Sequence, residues 1–441
     1  MSESPPNATA AGDRELAIKV PLLARVEGEG ALEITIRDQD ISALRLRIFE
    51  PPRLFEQLLV GRDWQEVLDI VARICGICPV AYQMSAVQAL EQAVGFTPSP
   101  ALLALRRLFY CGEWLESHAL HIHLLAAPDF LRYPSAIAMA QDHPEVVRRG
   151  LRLQQIGNTI LQQLGGRSVH PVGAAIGGFW RPPDAAEAAA LLAQCEQRLA
   201  DAEALVAWVA ALPLPNDPQH FTSVALRHDH DYPMEAGRII SDGGLDIDRC
   251  DFQRHFQEFQ QPHSTALHCH LEGAPYLVGP LARLNLNLDR LPAPVQHALA
   301  ATGIRFPSQN MFHSALARAL EIQLALLEAI RLLRGYQPER CARQPVTPTA
   351  GVGYGCTEAP RGILWHRFEI DGEGRVVSAT IVPPTSQNQA RIEQDLRTAL
   401  QRGGLDRSEE ALRNHGEMVI RNYDPCISCA THFLRLRIDR Q

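Results

Sequence analysis

Near the start of the chain, ELAIKVPLLA, ALEITI and ALRLRIF alternate apolar and polar positions, with β-branched residues among the apolar ones, which predicts a small sheet. The spacing then becomes helical. Ser99 and Pro100 make an N-cap and first-turn pair, and ALLALRRLFYCGEWLESHALHIHLLAA keeps helical apolar spacing up to Pro128, which is expected to stop it. Further helices are expected from Pro144 to Leu164, ending at Gly165 and Gly166; from Asp184 through AAEAAALLAQCEQRLADAEALVAWVAAL; and from Asn310 to Leu333, closed by Gly335. The stretch between the last two is rich in Pro, His and Asp, and its broken periodicity predicts irregular structure with short strands. GILWHRFEI, a DGEG turn and RVVSATIV read as a hairpin, followed by a helix from Gln387 to Gln401. The expected fold class is mainly helical α+β: a helical bundle with small peripheral β-sheets. Residues 1–15 read as a flexible leader and 16–441 as a single large domain.

Composition narrows the possibilities. A chain of 441 residues with 46% hydrophobic and 21% charged residues has ample material for a large core. A net charge of -8 without any long basic run leaves no footprint for nucleic acid or an anionic membrane. The leader MSESPPNATAAGDRE has no apolar signal core, and no segment supplies about 18 uninterrupted apolar residues, so the expectation is a cytoplasmic protein without a membrane partner. Ten cysteines are too sparse for a disulfide scaffold at this length and read as reduced thiols.

Four of them stand in two C-x-x-C pairs. Cys75 and Cys78 precede Pro79 and an amphipathic run, and Cys426 and Cys429 follow Asp424 and Pro425, so each pair is expected at a helix N-terminus, where the dipole favours thiolate. Structural zinc also uses such pairs, but usually about 15 to 20 residues apart, whereas these are separated by most of the chain. Spacing alone therefore points to a metal and leaves zinc or another soft metal open. His118, His121 and His123 lack a third ligand and are expected to pack and hydrogen-bond; Cys111, Cys195, Cys250, Cys269, Cys341 and Cys356 are expected as core thiols.

RVEGEG, EPPRLFEQLLVGR, RICGICPVAYQ, GGRSVHPVGAAIGG, EAPRG, VPPTSQN and DPCISCATH follow one another from Arg25 to His432 in an order that resembles NiFe hydrogenase large (catalytic) subunits. The Tyr-Gln of CGICPVAYQ, where many members carry His at Tyr82, and the EPPRLFE run look like the soluble NAD(P)-linked branch. The resemblance implies a NiFe(CO)(CN)2 centre with Cys75, Cys78, Cys426 and Cys429 as nickel ligands, Cys78 and Cys429 also bridging to iron. It places Arg361 and Thr385 against the cyanides, with Pro360 and Pro384 lining the pocket, and a canopy of Arg361, Asp129 and Asp424 above the metals. Heterolytic cleavage of H2 then needs a hydride acceptor, which the metals provide, and a base, which is either a cysteine thiolate or Arg361. Glu27 matches the glutamate that relays the proton away from Cys429, and Glu56 and His432 match ligands of a structural magnesium.

The chain offers no cysteine set for an Fe-S cluster beyond these four, and GVGYGC lacks the third glycine of a dinucleotide fingerprint. The resemblance therefore implies partners: an Fe-S small subunit, flavin (FAD) and NAD(P)-binding subunits with further Fe-S clusters, and maturation proteins, with H2 as substrate. An H2-sensing regulatory relative and a zinc-stapled structural subunit are the alternatives. A proton-pumping quinone oxidoreductase subunit of the same ancestry lacks the nickel cysteines, all four of which stand here. The tail FLRLRIDRQ after His432 resembles an amphipathic strand as much as a removable extension.

Overall fold

Alternation near the N-terminus becomes a three-stranded antiparallel sheet, β1 (Glu15–Val20), β2 (Gly30–Arg37) and β3 (Asp40–Ile48), with Ile18, Leu32, Ile34 and Leu46 buried on its inner face. The structure, a computed structural model, describes residues 15–37, 39–340 and 343–431. The helices follow where periodicity predicts: α1 (Pro79–Ala93), α2 (Pro100–Leu120), α3 (Pro144–Gly165) and α4 (Ala185–Ala210). The Ser99 hydroxyl caps α2 by accepting the Leu102 N–H, and Asp184 with Glu187 forms a reciprocal capping box on α4.

Pro128 does not stop the second helix. After Leu120 the chain widens into a π-helical turn, His121–Ala126, and continues as Ala127–Phe130. The wider turn resets the hydrogen-bond register, so Pro128 falls in the first turn of a new segment, where its missing N–H costs nothing.

The stretch after α4 contains the expected short strands, including the hairpin β4 (Phe256–Gln260) and β5 (Leu267–Leu271), and also two unexpected helices, Pro280–Leu286 and Ala293–Thr302. Both carry proline in the first turn, which in sequence reads as a breaker. Next comes α5 (Ser314–Arg334), buried almost all round because it lies between α2 and α4 while α3 packs on both of those. These four helices are the bundle.

The predicted hairpin gains a third strand: β6 (Gly351–Ala359) pairs with β7 (Gly362–Ile370), which pairs with β8 (Val376–Val382). Alternate glycines in β6 let α1 lie directly on it, since a Cβ at Gly353 or Gly355 would stand 1.9 Å from the Ala89 or Ser85 carbonyl oxygen. The chain ends in α6 (Pro384–Gly403) and α7 (Glu409–Asn422). Among the described residues no helix is long and apolar enough to cross a membrane. Cys111, Cys195, Cys269 and Cys356 are core thiols as expected, but Cys250 is exposed, on a 3₁₀ turn at the rim of a small sheet; Cys341 lies outside the described residues.

Candidate metal centre

Cys75 lies in the tight turn that follows the short helix Val67–Val71, and Cys78 is the residue at which α1 begins. The Cys75 sulfur accepts the N–H groups of Ile77 (3.3 Å) and Cys78 (3.2 Å), while those of Val80 and Ala81 are taken by the Glu113 carboxylate of α2 at 2.6 and 3.0 Å. The second pair differs from expectation. Cys426 and Cys429 stand at a 3₁₀ turn, Ile427–Thr431, entered through Asp424 at φ 55° and anchored by the Ile427 N–H on the Glu27 carbonyl at 3.0 Å. That contact joins the two ends of the chain.

The four buried sulfurs converge. Cys75 and Cys426 are 3.2 Å apart, Cys78 and Cys429 3.6 Å, Cys426 and Cys429 2.9 Å, and all four lie within 4.8 Å of one another. These separations are too long for disulfides and suit thiolates sharing soft metal ions. Burial opposes ionisation of Cys75, yet hydrogen bonds from Cys426, Cys429 and Cys78, then the Arg361 charge, hold it well below the usual thiol range; burial pushes the other three up.

Arg361, on the turn between β6 and β7, is buried against this cluster. Its Nε donates to the Asp424 carbonyl at 2.6 Å and its Nη2 to Asp424 Oδ1 at 3.1 Å, while Nη1 and Asp424 Oδ2 are buried without a protein partner. An orphaned guanidinium nitrogen beside four sulfurs fits a site built around a ligand-bearing metal group. Thr385, in the first turn of α6, accepts the Cys426 N–H on its hydroxyl oxygen at 3.1 Å, leaving the hydroxyl hydrogen for another acceptor. Pro360 and Pro384, next to Arg361 and Thr385 in the chain, are both buried.

Asp129 is not part of an ion pair with Arg361. It binds Arg25 and, at 2.7 and 2.9 Å, the guanidinium of Arg421. The acid of the long helix whose charge couples to Arg361 is Glu116, which burial pushes up to about 8 while Arg361 pulls it down. Glu116 was not legible in the sequence, where it is one more polar position beside His118. Glu27 stands with Oε2 3.0 Å from the Cys426 sulfur and accepts the Ser428 N–H at 3.1 Å. Burial, then the Cys75 charge, raises its pKa. The Ser428 hydroxyl in turn donates to Glu50 at 2.9 Å. Both belong to quoted motifs, CISC and EPPRLFE, and that was the available signal.

Arg283 also escaped the sequence. Fully buried, it grips Glu321 through two bonds of 2.8 Å and Glu358 at 2.7 Å, and donates to the carbonyls of Ala359 (2.9 Å) and Pro360 (3.3 Å), bracing the turn that carries Arg361. Glu56 accepts the Ile381 N–H at 2.7 Å; His432 lies outside the described residues. His118 bonds Glu321, His121 the Arg421 carbonyl and His123 the Ala119 carbonyl, as packing histidines do. Burial, then Cys429 and Cys78, pushes the Tyr82 hydroxyl up, so it stays a neutral phenol near those two cysteines.

A buried four-cysteine pocket drawn from both ends of one chain, with the braced Arg361 guanidinium nearby, has the make-up of a sulfur-ligated metal site. The family model described as nickel-dependent hydrogenase matches residues 53–148 and 252–432, and the chain belongs to that family, as a large subunit. Relatives include the alpha subunit of sulfhydrogenase 1 from Pyrococcus furiosus, 34% identical over 96% of this chain and 99% of that one, and the beta subunit of the NAD-reducing hydrogenase HoxS from Cupriavidus necator, 28% identical over 93% and 94%. A crystal structure of an NAD+-reducing NiFe hydrogenase in the H2-reduced state superposes with TM-score 0.85 at 30% identity, covering 95% of this chain and 99% of that one. The Ni-Fe-Se hydrogenase of Desulfomicrobium baculatum shares the fold, with TM-score 0.77 at 22% identity over 95% of this chain and 100% of its own.

Proposed function

We propose that this chain cleaves H2 reversibly and heterolytically into protons and electrons at a NiFe(CO)(CN)2 centre held by Cys75, Cys78, Cys426 and Cys429. The observation that carries the reading is the convergence of four sulfurs within 4.8 Å beside a guanidinium nitrogen that has no protein partner. When bound, the two metals supply the acceptor for hydride and the first station for electrons.

Around them the chain's own groups divide the work. With that group bound, Arg361 Nη1 and the Thr385 hydroxyl would be the donors available to its cyanides, and the buried Pro360 and Pro384 would keep water out, so those bonds would act in a low dielectric. Asp424 fixes the guanidinium plane through two hydrogen bonds. The proton leaves a cysteine sulfur for Glu27, whose Oε2 is 3.0 Å from Cys426 and is held by the Ser428 amide, and the Ser428 hydroxyl, which donates to Glu50 at 2.9 Å, carries it onward once it turns to accept from Glu27. Glu56 and His432 would hold a structural magnesium, which would supply charge neutralisation away from the cysteine centre. Electrons pass to an Fe-S small subunit and through a flavin subunit to NAD(P)+ in the cytoplasm, a reading supported by the relatives named for NAD reduction.

The test is anaerobic purification with native partners, followed by infrared spectroscopy between the amide and C–H regions, metal analysis, and H2-dependent reduction of NAD+ and NADP+. Sharp cyanide and carbonyl bands with one nickel per chain are expected. Zinc with a silent spectrum would make the cysteine pairs structural.

A further inference from the structure

A second set of metal-ligating side chains lies away from the cysteines. His263, in the β4–β5 connection, His268 on β5 and Glu393 on α6 bring two imidazole nitrogens and a carboxylate oxygen within 4.8 Å of one another. His263 Nε2 is 2.7 Å from Glu393 Oε1, and His268 Nε2 is 3.7 Å from Glu393 Oε2. Glu393 is held in place by the Leu46 N–H of β3, 2.9 Å from Oε1.

A hydrogen-bonded His–Glu pair accounts for His263 but not for His268. That ring is 1% exposed, and neither of its nitrogens has a hydrogen-bond partner. An imidazole buried with both nitrogens unmatched is costly unless something else binds it. Its Nε2 points at the free side of the Glu393 carboxylate, at a separation a shared cation would close. The other two ligands are 18% and 19% exposed, so an ion has a route in and water can complete its shell.

We propose that His263, His268 and Glu393 form a second metal site, which takes a divalent cation of the zinc type through two nitrogens, one oxygen and water. Two imidazoles with one carboxylate suit zinc and its transition-metal neighbours, whereas magnesium and calcium prefer all-oxygen shells. The ion would tie three segments together: the sheet edge at Leu46, the β4–β5 hairpin and α6. Glu393 lies eight residues along α6 from Thr385, about 12 Å at the helical rise, so the staple fixes the helix that presents Thr385 to the cysteine centre.

The complex purified with its native partners in chelator-free buffer would be analysed for zinc and by zinc-edge X-ray absorption, for wild type and for His268→Ala and Glu393→Gln. The expected result is one zinc per chain in a nitrogen–oxygen shell containing imidazole, lost in both variants while nickel and iron stay unchanged. No bound zinc in wild type after equilibration with added zinc would overturn the site. So would a sulfur shell, which places zinc among the cysteines, or zinc retained by both variants. Wild-type absorption decides the matter even if a variant misfolds, and it is independent of whether the cysteines hold nickel.

Discussion

Glu27 shows how one side chain joins the metal pocket to the surface. Its carboxylate touches the Cys426 sulfur on one side and the Ser428 amide on the other, and burial keeps its proton affinity above that of an ordinary glutamate. Glu27→Gln keeps the shape and removes the base. H2 oxidation in the assembled complex should fall by roughly 100-fold or more, the scale of general acid–base contributions, with nickel content and infrared bands unchanged. Ser428→Ala should cost less, since water can bridge to Glu50. Activity of the Gln variant close to wild type would move the proton route elsewhere. RVEGEG made Glu27 a candidate for a relay from Cys429, whereas its contact with the Cys426 sulfur depends on a one-residue bridge between Glu27 and Cys426, nearly 400 positions apart.

At the scale of elements, β6 is the instructive case. GVGYGC reads in sequence as a dinucleotide fingerprint that lacks its third glycine, and its alternate glycines do not favour a strand. In the fold they are the condition for α1 to lie on the sheet, with Gly351, Gly353 and Gly355 each facing a carbonyl of that helix. α1 begins at Cys78 and the sheet carries Arg361, so this contact sets the distance between ligand and guanidinium. Gly353→Val should therefore force helix and strand apart. We expect little soluble chain, or chain that binds no nickel, read by expression yield and metal content; a soluble, nickel-loaded variant would show that the contact is not needed.

Across the whole molecule the core is unusually rich in titratable groups. His118, His121 and His123 are fully buried, and burial lowers them to about 4, 3 and 4 from the ordinary 6.5. Between those values and 6.5 the unfolded chain binds more protons than the folded one, so stability falls as pH drops through that window. Full acidification through that window would remove on the order of 3 kcal/mol per histidine, at about 1.36 kcal/mol per unit. Thermal unfolding of the complex should shift down by several degrees from pH 7 to pH 5, and His123→Phe, which preserves the stack on Trp208, should shrink the shift. An unchanged midpoint would mean that acidification is absorbed elsewhere.

The sequence by itself determined the helical bundle, the N-terminal sheet and the C-terminal hairpin, and it singled out the four cysteines whose sulfurs the fold brings together. These rest on local periodicity, on capping residues and on two short motifs, all of which act within a few residues. Tertiary structure alone decided what depends on approach between distant segments. It set Asp129 on Arg25 and Arg421 and buried Glu116 where the Arg361 charge reaches it. It put Arg283 behind the Arg361 turn and carried the helix past Pro128. The reason is the range of the forces: propensity and patterning are local, whereas a buried charge takes whichever partner the packing brings within about 3 Å, because an unpaired one is too costly to keep.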